Sequence, residues 1–267
     1  VLHLWYWFRR RTKQSFQPVI LVTGCSSGIG LALAQMLYAQ TQYRVVVTAR
    51  RPEDLRQRFP DNERFWVRAL DVTSAAQREA LLQEIARSWG GVNILVNNAG
   101  ISYRAVVEHM SDQDELLQMS TNYLGPVGLI RAVMPHMRQL GRGKIINVSS
   151  VSGMLAMPTM ASYTASKYAL EGLSEALWYE AKPLGINVSL IQPGFVRSKA
   201  FSRVYSTEKS KAARQESETY GDYYANMAPF VERFMKLSLS DSGSVAKLIL
   251  KVIKTENPPL WIPATFD

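Results

Sequence analysis

One cysteine, Cys25, stands in 267 residues. That excludes an internal disulfide and a cysteine metal cluster. Histidine is nearly as scarce: His3, His109 and His136 are scattered without ligand spacing, so no metal site is expected. The most apolar terminal stretch, VLHLWYWF, has eight residues, far short of the ~20 that a membrane-crossing helix needs. The chain shows no internal repeat, low-complexity segment or interdomain linker. Acidic residues are outnumbered, 22 against 31 Lys and Arg, for a net charge of +9. Arg9, Arg10, Arg11 and Lys13 supply four of those charges, and the rest are dispersed with no recognition motif. A nucleic-acid partner is therefore not expected.

What remains is 47% hydrophobic and 20% charged, enough for one large α/β domain over residues 18–267. Residues 1–17 form an apolar-basic extension with two open readings. One is peripheral membrane contact through residues 1–13, with aromatics at headgroup depth and cations beside anionic lipid, as in a trimmed membrane anchor. The other is an amphipathic extension packed on the body. A secretory signal would place its charges before the apolar stretch, not after it. The expected location is cytoplasmic, with membrane association as the open alternative.

From Pro18 onward, short runs of Val, Ile and Leu without polar alternation predict strands at 19–22, 44–48, 65–70, 92–96, 144–148 and 187–191, with a last one near 260–262. Between them lie helical stretches at 29–40, 74–89, 112–140 (interrupted near 125–126), 161–182 and 242–254. Repeated βα units imply a single-domain, Rossmann-type doubly wound parallel sheet with helices on both faces.

The first strand runs into Thr23-Gly24-Cys25-Ser26-Ser27-Gly28-Ile29-Gly30 and then a helix. Glycines allow a tight turn and close approach of backbone to a pyrophosphate, which would rest on the helix N-terminus. The loop is too short for a nucleoside triphosphate, and no Lys-Ser/Thr pair follows. Asp71-Val72, Asn97-Asn98-Ala99-Gly100, Asn122, Ser150, Tyr163-x-x-x-Lys167 and Pro193-Gly194 come after it in order. With Thr-Gly-x-x-x-Gly-x-Gly, this set resembles the short-chain dehydrogenases/reductases over about residues 18–200. The last helix and Pro258-Pro259 are similar to the hydroxysteroid/retinol dehydrogenase and keto-lipid reductase branches.

The resemblance implies an oxidoreductase that moves a hydride between a nicotinamide nucleotide and a carbonyl or alcohol carbon. Gly24, Ser26, Ser27, Gly28, Ile29 and Gly30 would hold the pyrophosphate. Asp71 and Val72 would border the adenine, and Asn98, Ala99 and Gly100 would line the cleft, although Asn98 also suits a purely structural turn. Pro193, Gly194, Val196 and Ser198 would border the nicotinamide. Ala49 stands where relatives preferring NAD tend to carry Asp, and Arg50 and Arg51 follow, so NADP(H) is the expected cofactor: guanidinium groups suit a 2′-phosphate.

Tyr163 and Lys167, at i and i+4 on a helix, share one face. A free phenol ionises near pH ~10, and a nearby ammonium, with the cationic ring of the oxidised nicotinamide, is expected to lower that. Tyr163 is then the general acid for reduction and the general base for oxidation, and Lys167 also holds the nicotinamide ribose. Ser150, 13 residues before Tyr163, would donate to the developing alkoxide, with Ser149 its rival. Asn122 is assigned to a proton-relay water or, alternatively, to breaking the long helix. Residues 199–241 fall at the substrate lid. They carry Phe201, Tyr205, Tyr220, Tyr223, Tyr224, Met227, Phe230, Phe234 and Met235, which points to a lipophilic ketone or alcohol (steroid, retinoid or long-chain keto-lipid) and a place in lipid metabolism. The competing reading puts these side chains in the core. By resemblance the chain assembles as a homodimer or homotetramer. The rival class is a catalytically silent NADP-binding regulator or scaffold, which would not need Ser150, Tyr163 and Lys167 together.

Overall fold

Apolar runs without alternation become strands buried on both faces, and β1 (Val19–Val22) shows why. Successive side chains of a strand point to opposite faces. Ile20 and Val22 join the core on one side, and Val19 and Leu21 the core on the other. The structure is a computed structural model and describes residues 17–197, 204–214, 220–238 and 240–265. The extension over 1–16, Ser198 and Phe201 lie outside the described residues.

After β1 come β2 (Arg44–Ala49), β3 (Phe65–Ala69), β4 (Ile94–Asn97), β5 (Gly143–Val148), β6 (Ile186–Gln192) and β7 (Trp261–Pro263). They form one parallel sheet in the order β3-β2-β1-β4-β5-β6-β7. The order reverses between β1 and β4, so crossovers leave in opposite directions and open a crevice at the strands' C-terminal ends. On one face α1 (Gly28–Gln40) packs with α9 (Ser242–Lys254), through Leu33, Leu37, Val245 and Ile249. On the other face lie α3 (Ala75–Trp89), α5 (Gly125–Leu140) and α6 (Ala161–Ala181), through Leu81, Ile85, Leu129, Val133 and Leu177. Each such fully buried side chain contributes about 1.5–3 kcal/mol. Local signals agree with the packing. Ser74 caps α3 by accepting from the Gln77 N–H, Gly90 ends it in the left-handed region, and Asp241 and Ser244 form a capping box on α9.

The expected strands and long helices are present, with ends shifted by one or two residues. The break in the 112–140 stretch comes earlier than expected: α4 (Asp112–Met119) ends in a π-helical turn, Ser120–Leu124, before α5 begins at Gly125. The sequence reading missed α2 (Glu53–Arg58), a six-residue helix that buries only Leu55 and so has no apolar period. It also left the lid without elements, where α7 (Glu208–Ala213) and α8 (Gly221–Leu237) form. Among the described residues no helix is long and apolar enough to cross a membrane. Leu124, in the π turn, and Tyr168 and Tyr179, on α6, are exposed.

Candidate active site

At the crevice the chain forms a cleft of about 570 Å³. Its floor is the glycine turn. Thr23 Oγ1 accepts from the N–H groups of Asn98 and Ala99, both at 3.0 Å, and Asn98 Nδ2 donates to the carbonyls of Thr23 (2.9 Å) and Gly24 (3.0 Å). The turn is thereby stitched to the end of β4. Gly24 has φ 72°, and a Cβ there would lie 2.6 Å from Ala99 Cα; one on Gly30 would lie 2.4 Å from Asn98 Nδ2. Glycine at these two positions is what permits the stitching, and Gly30 lies beneath the turn rather than on the cleft wall. Ser26, Ser27, Gly28 and Ile29 line the cleft, and Ser27 precedes α1 without capping it through its side chain. Unpaired N–H groups of a helix's first turn therefore face the cleft, the arrangement that receives a pyrophosphate.

Arg50, Asp71, Val72, Ala99 and Gly100 line the end where an adenosine would lie, whereas Arg51 does not reach the cleft. Arg50 Nη2 donates to Tyr205 Oη at 3.2 Å, and this bond, with the nearby Asp71 charge, holds its pKa above the ordinary arginine value. Asp71 is itself engaged, accepting from the Thr73 N–H and hydroxyl at 2.9 and 2.7 Å. At the opposite end, Pro193, Gly194 and Val196 form a wall. It is fixed by Val151 N–H to Pro193 O (2.9 Å) and Gly194 N–H to Thr265 Oγ1 (2.9 Å).

Between these ends, α6 brings Tyr163 and Lys167 to the same cleft as Ser150, which follows β5. Ser150 Oγ accepts from the Ser152 N–H at 3.1 Å and lies beside Tyr163, whose ionisation it favours. The Ser149 hydroxyl faces Glu171 instead, so the geometry separates the two candidate serines. Lys167 Nζ donates to Val148 O at 2.8 Å and lies 5.7 Å from the Tyr163 ring centroid. Burial pulls Lys167 down to about 8, opposed by Glu171.

The tyrosine departs from expectation. Its pKa is raised, because burial outweighs the opposing Ser150 hydroxyl and Arg104 charge. Lys167 does not overcome that burial, since its ammonium is turned to the Val148 carbonyl.

Asn122 sits in the π turn, outside the cleft wall. Its Oδ1 accepts from Ile101 N–H (2.9 Å), and its Nδ2 donates to Ile101 O (2.9 Å) and Ser166 Oγ (3.0 Å). The side chain clamps the loop after β4 to α6, so any part in a relay falls to its main chain.

Several functional residues escaped the sequence reading. Arg104 lines the cleft beside Tyr163, and its signal was present: it is the one charged residue between Val92 and Val107. Glu171 accepts from Gln192 Nε2 at 3.1 Å and faces Lys167 one turn away. A buried relay of amides also binds the strands to the catalytic helix: Asn97 Nδ2 to Asn147 Oδ1 (2.9 Å), then Asn147 Nδ2 to Ser174 Oγ (2.8 Å). Of the lid aromatics, Tyr205 lines the cleft. Tyr224 is buried, its hydroxyl 2.9 Å from His109 Nδ1 and accepting from Val106 N–H at 3.0 Å, and Tyr220 donates to Glu108 at 2.9 Å. These two fasten the lid to the 106–109 loop and do not wall the cleft.

Comparison with known proteins agrees with this geometry. The short chain dehydrogenase family profile matches residues 18–209. The chain is 33% identical over 245 residues to a 3-ketodihydrosphingosine reductase of Bacteroides thetaiotaomicron, covering 91% of this chain and 86% of that protein. A short-chain dehydrogenase structure from Streptomyces avermitilis superposes with a TM-score of 0.78 at 32% identity, covering 93% and 88% of the two chains. A gluconate 5-dehydrogenase from Burkholderia cenocepacia, solved with NADP and tartrate, gives 0.62 at 35% identity over 67% and 71%. A nucleotide-binding turn, a crevice at the strand reversal and a Ser-Tyr-Lys cluster share one cleft because this chain belongs to the short-chain dehydrogenase/reductase family of oxidoreductases.

Proposed function

We propose that the protein is an NADP(H)-dependent reductase, working reversibly, of a lipophilic ketone or alcohol. The observation that carries this reading is the convergence of Ser150, Tyr163 and Lys167 on a cleft that also receives the first turn of α1. NADPH bound on that turn would supply the hydride. Its pyrophosphate would rest on Ser26 to Ile29, its adenine against Asp71 and Val72, and its nicotinamide against Pro193, Gly194 and Val196.

The chain's own groups handle the oxygen of the substrate. Ser150 donates a hydrogen bond to the carbonyl oxygen, stabilising the charge that develops there. Tyr163 gives its phenolic proton to that oxygen during reduction and removes it from the alcohol in the reverse direction. Burial keeps Tyr163 protonated, which suits the acid role. Lys167 would hold the nicotinamide ribose hydroxyls and, as a cation, would favour the phenolate left after the proton departs. Asn122 keeps the loop after β4 in place against α6.

Selection of NADP(H) rests on Arg50, since the end of β2 offers no carboxylate to a ribose diol and Arg51 lies off the cleft. A charged hydrogen bond contributes ~1.5–3 kcal/mol, about 10- to 100-fold in affinity. Arg50→Ala should raise KM for NADPH by that factor and leave KM for NADH within about twofold. Steady-state kinetics with both cofactors would disprove the assignment if the two KM values moved together.

The apolar lining favours a lipophilic substrate: Ile101, Leu117, Met157, Met160, Phe195 and Val204 all face the cleft. The similarity to a 3-ketodihydrosphingosine reductase supports a keto-lipid. Each buried methylene contributes ~0.8 kcal/mol, so ketones of rising chain length assayed with NADPH should gain about fourfold in kcat/KM per methylene until the cleft is filled. Efficiency that stays flat from four to ten carbons would sink the lipophilic reading.

A further inference from the structure

Tyr205 is one of the aromatics that the sequence assigns to a substrate lid, yet the structure sets its hydroxyl beside the arginine that follows β2. Arg50 Nη2 donates to Tyr205 Oη at 3.2 Å, across 155 positions of chain, and both residues line the cleft. The tyrosine is not held as a loose lid residue would be. Its N–H donates to Ser102 O at 2.8 Å and its carbonyl accepts from the Arg104 N–H at 2.9 Å, in a parallel bridge with Tyr103. Its ring centroid lies 5.2 Å from that of Tyr103, which is buried. The loop after β4 therefore fixes where the phenol stands.

Arg50 is the freer partner. It is exposed, and among the described residues no carboxylate forms an ion pair with it. The nearby Asp71 is taken up by the Thr73 N–H and hydroxyl. An unrestrained arginine loses rotamer freedom when it grips a ligand, and holding it beforehand removes part of that cost. Here the phenol holds the guanidinium across the cleft. A phenol that accepts one hydrogen bond still has its own proton to give, and among the described residues no acceptor takes it. The guanidinium keeps its other N–H donors. Together the two groups offer adjacent donors and one positive charge, which is the chemistry that grips a phosphate.

We propose that Tyr205 is a cofactor-binding residue: with Arg50 it forms a clasp for the 2′-phosphate of NADP(H), donating its own hydrogen bond and holding the guanidinium in place. The inference rests on the NADP(H) reading of Arg50 and adds a lid residue to it.

Calorimetric titration of the cofactor-free protein with adenosine 2′,5′-bisphosphate and with adenosine 5′-monophosphate tests the clasp without substrate or turnover. A hydrogen bond to a charged group is worth about tenfold at the low end, so two should make the wild type prefer the bisphosphate by about a hundredfold. Tyr205→Phe keeps the ring against Tyr103 and removes only the hydroxyl. It should weaken the bisphosphate by about tenfold and leave the monophosphate within about twofold. Tyr220→Phe, which frees another lid tyrosine from Glu108, should change neither, and so separates a loosened lid from a lost phosphate contact. An unchanged preference in Tyr205→Phe, with the preference lost in Arg50→Ala, would overturn the clasp and leave the NADP(H) reading standing. Equal weakening of both nucleotides in Tyr205→Phe would overturn it too, since the phenol would then serve only the shape of the cleft. A bisphosphate bound more tightly by Tyr205→Phe would show that the phenol competes with the phosphate for Arg50, again overturning the clasp. A wild type that binds the two nucleotides equally would refute both the clasp and the NADP(H) reading.

Discussion

Tyr163→Phe is expected to lower kcat for ketone reduction by about a thousandfold or more while leaving the Kd for NADPH within a factor of two. The substitution removes one oxygen from a half-buried ring on α6 and keeps the ring's packing. General acid catalysis is worth 10²–10⁴-fold, and among the described residues no second acid is placed to replace it: the groups near Tyr163 are the Ser150 hydroxyl, a lysine turned to Val148 O and an arginine. The NADPH contacts proposed for the glycine turn and Arg50 do not involve the phenol, so binding should survive. Stopped-flow reduction with saturating NADPH, together with fluorescence titration of the cofactor, separates the two quantities. Turnover within tenfold of the wild type would mean that the proton comes from elsewhere and that the mechanism is wrong.

How much of this site could be read beforehand depended on whether its information was local. The glycine turn, Ser150 and the Tyr163–Lys167 pair are set by short spacings on a strand end or one helix face, so the sequence alone places them near one another. The sheet was legible for the same reason, since β1, β2, β5 and β6 are runs of Val, Ile and Leu that only a doubly covered strand can bury. What escaped was tertiary. The Asn97–Asn147–Ser174 relay joins β4, β5 and α6, and no segment of it is unusual by itself. Tyr224 reads as a cleft aromatic until His109, more than a hundred residues earlier, is found against its hydroxyl. Lys167 alone does not lower Tyr163, because i,i+4 spacing says that two side chains share a helix face, not where the ammonium turns. Burial and a carbonyl acceptor decided that. The helix break was visible and Asn122 was one of the residues offered for it, but Gly125 and Pro126 are the stronger local signals, and the bonds from Asn122 to Ile101 and Ser166 that hold the π turn are tertiary.

The roles proposed for Lys167 join cofactor binding and catalysis to stability in one titrating group, and its replacement should show all three. Lys167→Met is expected to raise the Kd for NADPH about tenfold or more and to lower kcat by about a hundredfold, because the group proposed to hold the ribose is also the cation behind Tyr163. Its pKa of about 8 adds a signature that a merely structural residue would lack. Below that value the ammonium is charged; above it the charge is lost. The wild-type kcat/KM for reduction should therefore fall as pH rises through about 8. In Lys167→Arg, whose guanidinium keeps its proton, the fall should move above pH 10.

Stability should carry the complementary sign. Burial lowers the folded pKa below the unfolded value of ~10.4, so the folded protein binds this proton less tightly than the unfolded chain does. The resulting penalty is fully present below pH 8 and disappears as pH rises toward 10.4. Relative to Lys167→Met, the wild type should gain stability between pH 7 and 10, by on the order of 3 kcal/mol at most. Paired urea melts of the cofactor-free proteins at both pH values would measure the difference. A gap between the two proteins that is constant with pH, together with a descending limb unmoved in Lys167→Arg, would show that this lysine does not titrate in the active range and that its role is confined to packing.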